Sequence, residues 1–206
     1  VFGLGIHVLT GGNHLWDNWH TRKLLATSKV ILRPLNYPSE NPGNGFVIYD
    51  LGEKGKVGVL NLQGRVYMQP IDCPFKKADW AVEKIKEQTK IIFVDFHAEA
   101  TAEKVALGWH LDGRVTALVG THTHIQTADA RILPKGTAYI TDVGMTGPYD
   151  SVIGLKKEIA LRRFVYQTPF KYELASFDVR LCGVYVQAEV ETGKALKIES
   201  FVFPKF

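Results

Sequence analysis

Cysteine is scarce in this chain. Its 206 residues include only Cys73 and Cys182, and neither belongs to a C-x-x-C pair. That excludes a disulfide framework and leaves two free, at least partly buried thiols as the expectation. No apolar run approaches the length of a membrane span, and nothing resembles a signal peptide. A reducing cytoplasm and no membrane partner are the expectations that follow. Charge of one sign is not concentrated either. Lys and Arg number 25 against 21 Asp and Glu, for a net charge of +4. They are scattered, so a nucleic-acid-binding stripe is not indicated, whereas a small anionic substrate fits the balance. Repeats, low-complexity tracts and linkers are absent. An initiator Met is missing too, and none of the eleven residues before Gly12 is acidic. The opening stretch Val1–Thr10 reads like the middle of a domain, so the expectation is a chain without its upstream part.

What is present suits one globular domain over residues 1–206. Hydrophobic residues make up 46% and charged residues 22%, enough for a proper core and too apolar for disorder. Ile6–Thr10 reads as a buried strand, followed by a helix with Asp17 as a plausible N-cap. Phe46–Leu51 and Lys56–Leu62, separated by Gly52-Glu53-Lys54-Gly55, form a hairpin pattern. The spacing of Phe75, Ala78, Val82 and Ile85 predicts an amphipathic helix over 75–89. Ile91–Phe96, Val115–Val119 and Thr137–Val143 read as buried strands of a covered sheet, with helices over 99–110 and 155–166. Alternation over 176–190, a break at Glu191–Lys194 and resumption through Val202 predict an antiparallel hairpin. The fold class is α/β, with strand–helix alternation first and antiparallel strands last.

Chemistry-bearing residues gather where these strands end. His122 and His124 follow a strand and a glycine, and residues i and i+2 of an extended segment share a side. Imidazole suits transition metals, though His-x-His alone reads equally as two surface histidines. His97 ends an apolar run, where open α/β folds place ligands; a core histidine bonded to backbone is the plainer reading. Asn13 offers a neutral ligand oxygen and His14 a proton donor, while Gly11-Gly12-Asn13 is also ordinary turn chemistry. His7 falls in a strand and is placed in the core; His20 and His110 fall in helices. Asp17, Asp95, Glu99, Asp129 and Asp142 are carboxylates able to orient a histidine. The loop Gly144–Asp150 reads as flexible, a pocket border or a plain turn.

Gly12-Asn13-His14, His97 and Gly120-Thr121-His122-Thr123-His124 occur in the order of the motifs of calcineurin-like metallophosphoesterases, which the chain resembles. Longer strings narrow the resemblance: Gly-Asn-His-x-Trp-Asp at 12–17, Asn61–Arg65, Asp95–Thr101, Gly120–Asp129 and Ile140–Asp150 look like the bacterial YmdB-like branch. The resemblance implies a β-sandwich flanked by helices, here missing its first strand–helix–strand unit. It implies a dinuclear phosphodiesterase acting on cyclic nucleotides such as 2′,3′-cyclic AMP, with iron or manganese, in a cytoplasmic homo-oligomer. Carried over by motif, Asn13, His97 and His122 hold one metal, His124 holds the other, and His14 is the general acid. Metal-activated hydroxide would attack the phosphorus. The family's earlier Asp, Glu and Asn ligands have no counterpart in this sequence. A phosphomonoesterase or nucleotidase using the same metals stays open, as does a non-catalytic regulator that senses nucleotides or RNA.

Overall fold

Strands and helices alternate because apolar runs and amphipathic stretches do. The computed structural model describes residues 2–206. Leu9–Thr10 (β1) pairs in parallel with Ile31–Leu32 (β2) on either side of helix Trp19–Thr27 (α1). Phe46–Asp50 (β3) turns antiparallel into Lys56–Gln63 (β4), and Pro74–Lys86 (α2) follows, with its proline in the first turn. A missing N–H costs nothing at that position. Then come Ile92–His97 (β5), Thr101–Leu111 (α3), Ala117–Thr121 (β6), Arg131–Ile132 (β7), Ala138–Ile140 (β8) and Gly147–Pro148 (β9). Lys157–Tyr166 (α4) leads to the terminal hairpin Val179–Ala188 (β10) and Ala195–Phe203 (β11).

Six strands form one mixed sheet in the order β3-β4-β5-β6-β8-β7, and β11-β10-β9 form a second. Side chains alternate between the faces of each strand. On one face of the large sheet, Leu60, Leu62, Val94, Phe96 and Leu118 pack against Ala78, Val82 and Ile85 of α2 and Leu107 and Leu111 of α3. On the other face, Phe93, Ala117 and Ala138 meet Val186, Ala195 and Ile198 of the hairpin. Small residues there let the two sheets approach. The result is a two-sheet sandwich backed by helices, the architecture the resemblance implied. No helix among the described residues is long and apolar enough to cross a membrane.

Several expectations need correction. The strand expected over Ile6–Thr10 is only Leu9–Thr10, because Gly5 turns the chain at φ 85°. His7 is consequently exposed, edge-on to Tyr49, and not in the core. Asn18, not Asp17, caps α1, its side chain accepting from the His20 amide at 2.9 Å. The strand expected over Thr137–Val143 is only Ala138–Ile140. The Thr141 and Asp142 amides donate instead to the side chains of Asp129 and Thr127, at 3.1 and 3.0 Å. Helix α3 starts at Thr101, which leaves Glu99 in the preceding turn. The Gly144–Asp150 loop is not free: Gly147–Pro148 is paired to Arg180 and Val179. Cys73 is half-buried and Cys182 buried, both free as expected.

Candidate metal centre

Alternation along β5 puts Phe93, Asp95 and His97 on the hairpin side of the large sheet, and β6 puts Thr121 beside His97 in register. Thr121 Oγ donates to Asp95 Oδ1 at 2.8 Å, so its oxygen accepts from His97 Nδ1 at 3.1 Å. That chain of bonds sets the tautomer of His97 and leaves Nε2 with a lone pair. Nε2 faces two further atoms, Asn13 Oδ1 at 2.8 Å and His122 Nδ1 at 3.1 Å. His122 is set from its other side, because its Nε2 donates to Glu99 Oε2 at 2.9 Å. Asn13 Oδ1, His97 Nε2 and His122 Nδ1 therefore turn lone pairs toward one another.

Electrostatics keeps both rings neutral. Burial, with His122 and Lys104 nearby, pushes His97 down to about 4. Burial also lowers His122, against the pull of Glu99. Asp95 is pushed up to about 6 by burial, opposed by hydrogen bonds from Thr10 and Thr121. Three converging lone pairs with no proton among them form a site that a cation stabilises, and the two imidazoles and one carbonyl oxygen fit a transition metal. The residues thus fit one metal position. A second is not built alongside it: among the described residues no group of three or more His, Cys, Asp or Glu could hold an ion.

The His-x-His pair is arranged differently from the expectation. Both histidines lie past the end of β6, with φ of 106° at His122 and 67° at His124. They are not on one extended segment and do not point the same way. His122 joins His97, whereas His124 is exposed and its Nδ1 lies 3.1 Å from the Ile153 carbonyl. Between them, Thr123 is clamped by Asp142 Oδ2, which accepts from its amide at 3.0 Å and its hydroxyl at 2.8 Å. The same oxygen receives Lys104 Nζ at 2.8 Å in a wholly buried ion pair. His14 stands exposed beside the cluster with its Nδ1 bonded to Asp17 Oδ2 at 2.8 Å. Asp129 is spent on Thr127 and Thr141. His20 is exposed on α1, and His110 pairs with Asp79 at 2.8 Å.

Three contributors escaped the sequence reading. Thr121 relays Asp95 to His97, and its only sequence signal was its place at a strand end. Lys104 lies on the face of α3 that also carries Leu107, Gly108 and Leu111, a signal of burial that periodicity alone does not single out. Gly12 is needed for space: a Cβ there would run into the His97 ring at Nε2, and its extended φ of −138° makes no demand for glycine.

An Asn-and-His cluster at the strand ends of a helix-backed sandwich defines a metallophosphoesterase type of fold. A family profile described as "YmdB-like protein" matches residues 1–201, and the chain belongs to that family. It is 48% identical over 195 residues to the 2′,3′-cyclic-nucleotide 2′-phosphodiesterase of Bacillus subtilis (strain 168), covering 95% of this chain and 74% of the relative. A crystal structure of a hypothetical protein from Thermus thermophilus superposes with a TM-score of 0.91 at 40% identity, covering 98% of this chain and 78% of that one. That of a novel phosphatase from Mycoplasma pneumoniae superposes with a TM-score of 0.88 at 36% identity, over 96% and 72% of the two chains.

Proposed function

We propose that this chain is a metal-dependent phosphodiesterase that opens cyclic nucleotides such as 2′,3′-cyclic AMP. The observation that carries the reading is that Asn13 Oδ1 and His122 Nδ1 lie 2.8 and 3.1 Å from His97 Nε2, beside an exposed His14. The substrate class is taken from the Bacillus subtilis relative. Asn13, His97 and His122 would hold one ion and His124 would contribute to a second, iron or manganese in either case. When bound, such ions neutralise phosphate oxygens and make water nucleophilic near neutral pH.

The chain's own side chains do the rest. Asp17 accepts from His14 Nδ1 and so orients the ring, leaving Nε2 as the end that donates a proton to the departing ribose oxygen. Glu99 and the Asp95–Thr121 relay keep His122 and His97 in the tautomers that present lone pairs. The proposal treats residues 1–206 as one phosphoesterase domain, in a cytoplasmic homo-oligomer. Exposed apolar side chains of α4, Leu161, Phe164 and Val165, support self-association.

A second reading is a nucleotide-binding regulator without turnover. It is favoured by one observation, that His124 turns to the Ile153 carbonyl and, among the described residues, no second ligand group accompanies it. Elemental analysis paired with turnover of 2′,3′-cyclic AMP separates the two. The enzyme reading expects metal-dependent hydrolysis that exceeds hydrolysis of nucleoside monophosphates. It expects His14→Ala to lose roughly 10²–10⁴-fold in rate with metal retained, and His97→Ala and His122→Ala to lose metal and rate together. A metal-loaded protein that binds the nucleotide without turning it over supports the regulator.

A further inference from the structure

The loop that follows β4 is held far more tightly than a surface turn requires, and it displays an aromatic ring. Gln63 and His97 are paired neighbours at the ends of β4 and β5, and the Gly64 amide donates to the His97 carbonyl at 3.0 Å. The loop therefore starts against the backbone of a central site residue. It closes through Gln63 Nε2, which donates to Gln69 Oε1 at 3.0 Å, while Tyr37 donates to Gln63 Oε1 at 3.2 Å. Glu103, nine-tenths buried in α3, accepts from the Arg65 amide through both carboxylate oxygens at 3.1 Å and from the Val66 amide at 3.3 Å. A Cβ at Gly64 would collide with that carboxylate and with Ala98.

Within this frame the Met68 amide donates to the Arg65 carbonyl at 3.2 Å, closing a four-residue turn. Its third residue is Tyr67, at φ 61° and 89% exposed. That position favours glycine or asparagine, because a Cβ is strained there. Stability alone would select glycine. The turn instead keeps a bulky ring that touches solvent, and strain held in place by an over-determined surround points to function.

We propose that Tyr67 is the stacking platform for the nucleobase of the substrate, carried on the loop that starts at the His97 backbone and that Glu103 fixes. This rests on the nucleotide reading above. A rigid ring on a fixed turn binds a planar base with little ordering cost. Arg65, exposed on the same turn, adds positive charge for an anionic ligand.

The test measures equilibrium binding and turnover in parallel for the native chain, Tyr67→Gly and Tyr67→Phe. The ligands are 2′,3′-cyclic AMP and glycerol 1,2-cyclic phosphate, the same reactive ring without a base. Tyr67→Gly relieves the backbone, so its melting temperature should rise or hold. Its Kd and KM for 2′,3′-cyclic AMP should nonetheless increase about tenfold or more, with kcat and the base-free ligand unaffected. Tyr67→Phe should behave as the native chain. Unchanged nucleotide affinity in Tyr67→Gly overturns the proposal and leaves the hydrolase reading standing. A change in mass by light scattering with affinity unchanged overturns it in favour of a contact between copies. Native chain that binds the nucleotide without hydrolysing it overturns the hydrolase reading only, and the affinity comparison still decides on Tyr67. Native chain that neither binds nor hydrolyses overturns both.

Discussion

His97 is the residue on which the most constraints meet. Its Nδ1 is engaged by Thr121, its Nε2 faces Asn13 and His122, and Gly12 lies against its ring. Gly12→Ala should therefore displace the imidazole while leaving the backbone free to keep its extended conformation. The expected outcome is a chain with native circular dichroism and sharply reduced metal content by elemental analysis. The acid behaviour of the metal-free chain follows from two opposed groups. His97 titrates at about 4 when folded against 6.5 in the open chain. Its contribution is intact above 6.5 and is lost as pH falls toward 4, up to about 3 kcal/mol. Asp95 is raised from 3.8 to about 6 when folded. It works in the opposite sense, contributing stability that is present below 3.8 and lost as pH rises through 6. Between pH 6 and 4 the two offset each other. Urea midpoints should change little over that window for the native chain and fall steeply with acid for Asp95→Asn, which removes one of the pair.

At the scale of elements, the loop after β6 carries strain beside the site. Two non-glycine residues, His122 and His124, sit at positive φ there, and what holds them is the Asp142 carboxylate with Lys104 of α3 behind it. Removing one partner of a wholly buried pair leaves an uncompensated charge. Lys104→Ala should lose about 3–5 kcal/mol in urea unfolding, and Lys104→Met with Asp142→Asn should recover much of it. The double variant separates stability from site geometry: recovered stability with impaired metal binding shows that Asp142 also sets the backbone of the histidine pair. Glycine has the complementary role at the end of β6. A Cβ at Gly120 would overlap the Thr141 carbonyl, so Gly120→Ala should give little soluble folded protein.

The whole molecule places its chemistry on one edge of the large sheet, where parallel strands β4, β5 and β6 end together. Helices cover one face of that sheet and the hairpin the other, and α4 stays outside both, burying only Ala160. Its Leu161, Phe164, Val165 and Tyr166 are all more than half exposed. Light scattering should give a multiple of the 23.0 kDa chain mass, and Phe164→Glu should shift it toward the monomer. A monomer in the native chain refutes self-association without touching the site.

Much of this organisation was legible in residue order. Apolar runs of five or six residues can satisfy their backbones only as covered strands, which is why 91–96 and 115–119 read correctly to within two residues. The period of Ala78, Val82 and Ile85 fixed the buried face of α2 for the same reason. That Asn13, His97 and His122 belong together came from the family resemblance; strand order accounts only for His97 and His122, which follow neighbouring parallel strands, whereas Asn13 follows β1 of a separate two-stranded sheet. What residue order left open was everything set by competition for partners in space. Asp17 could have capped α1 as readily as Asn18, but the helix starts at Trp19, which puts Asn18 at the cap and leaves Asp17 to bond His14. Glu99 could have been helical, but the turn before α3 frees it for His122. His124 follows the same strand as His122 yet faces elsewhere, because left-handed backbone at both histidines breaks the alternation. Local pattern determined the elements and their order, since burial and backbone hydrogen bonding act over a few residues. Tautomers, strained loops and the buried Lys104–Asp142 pair were decided only by the tertiary structure, since they depend on atoms dozens of residues apart in the chain.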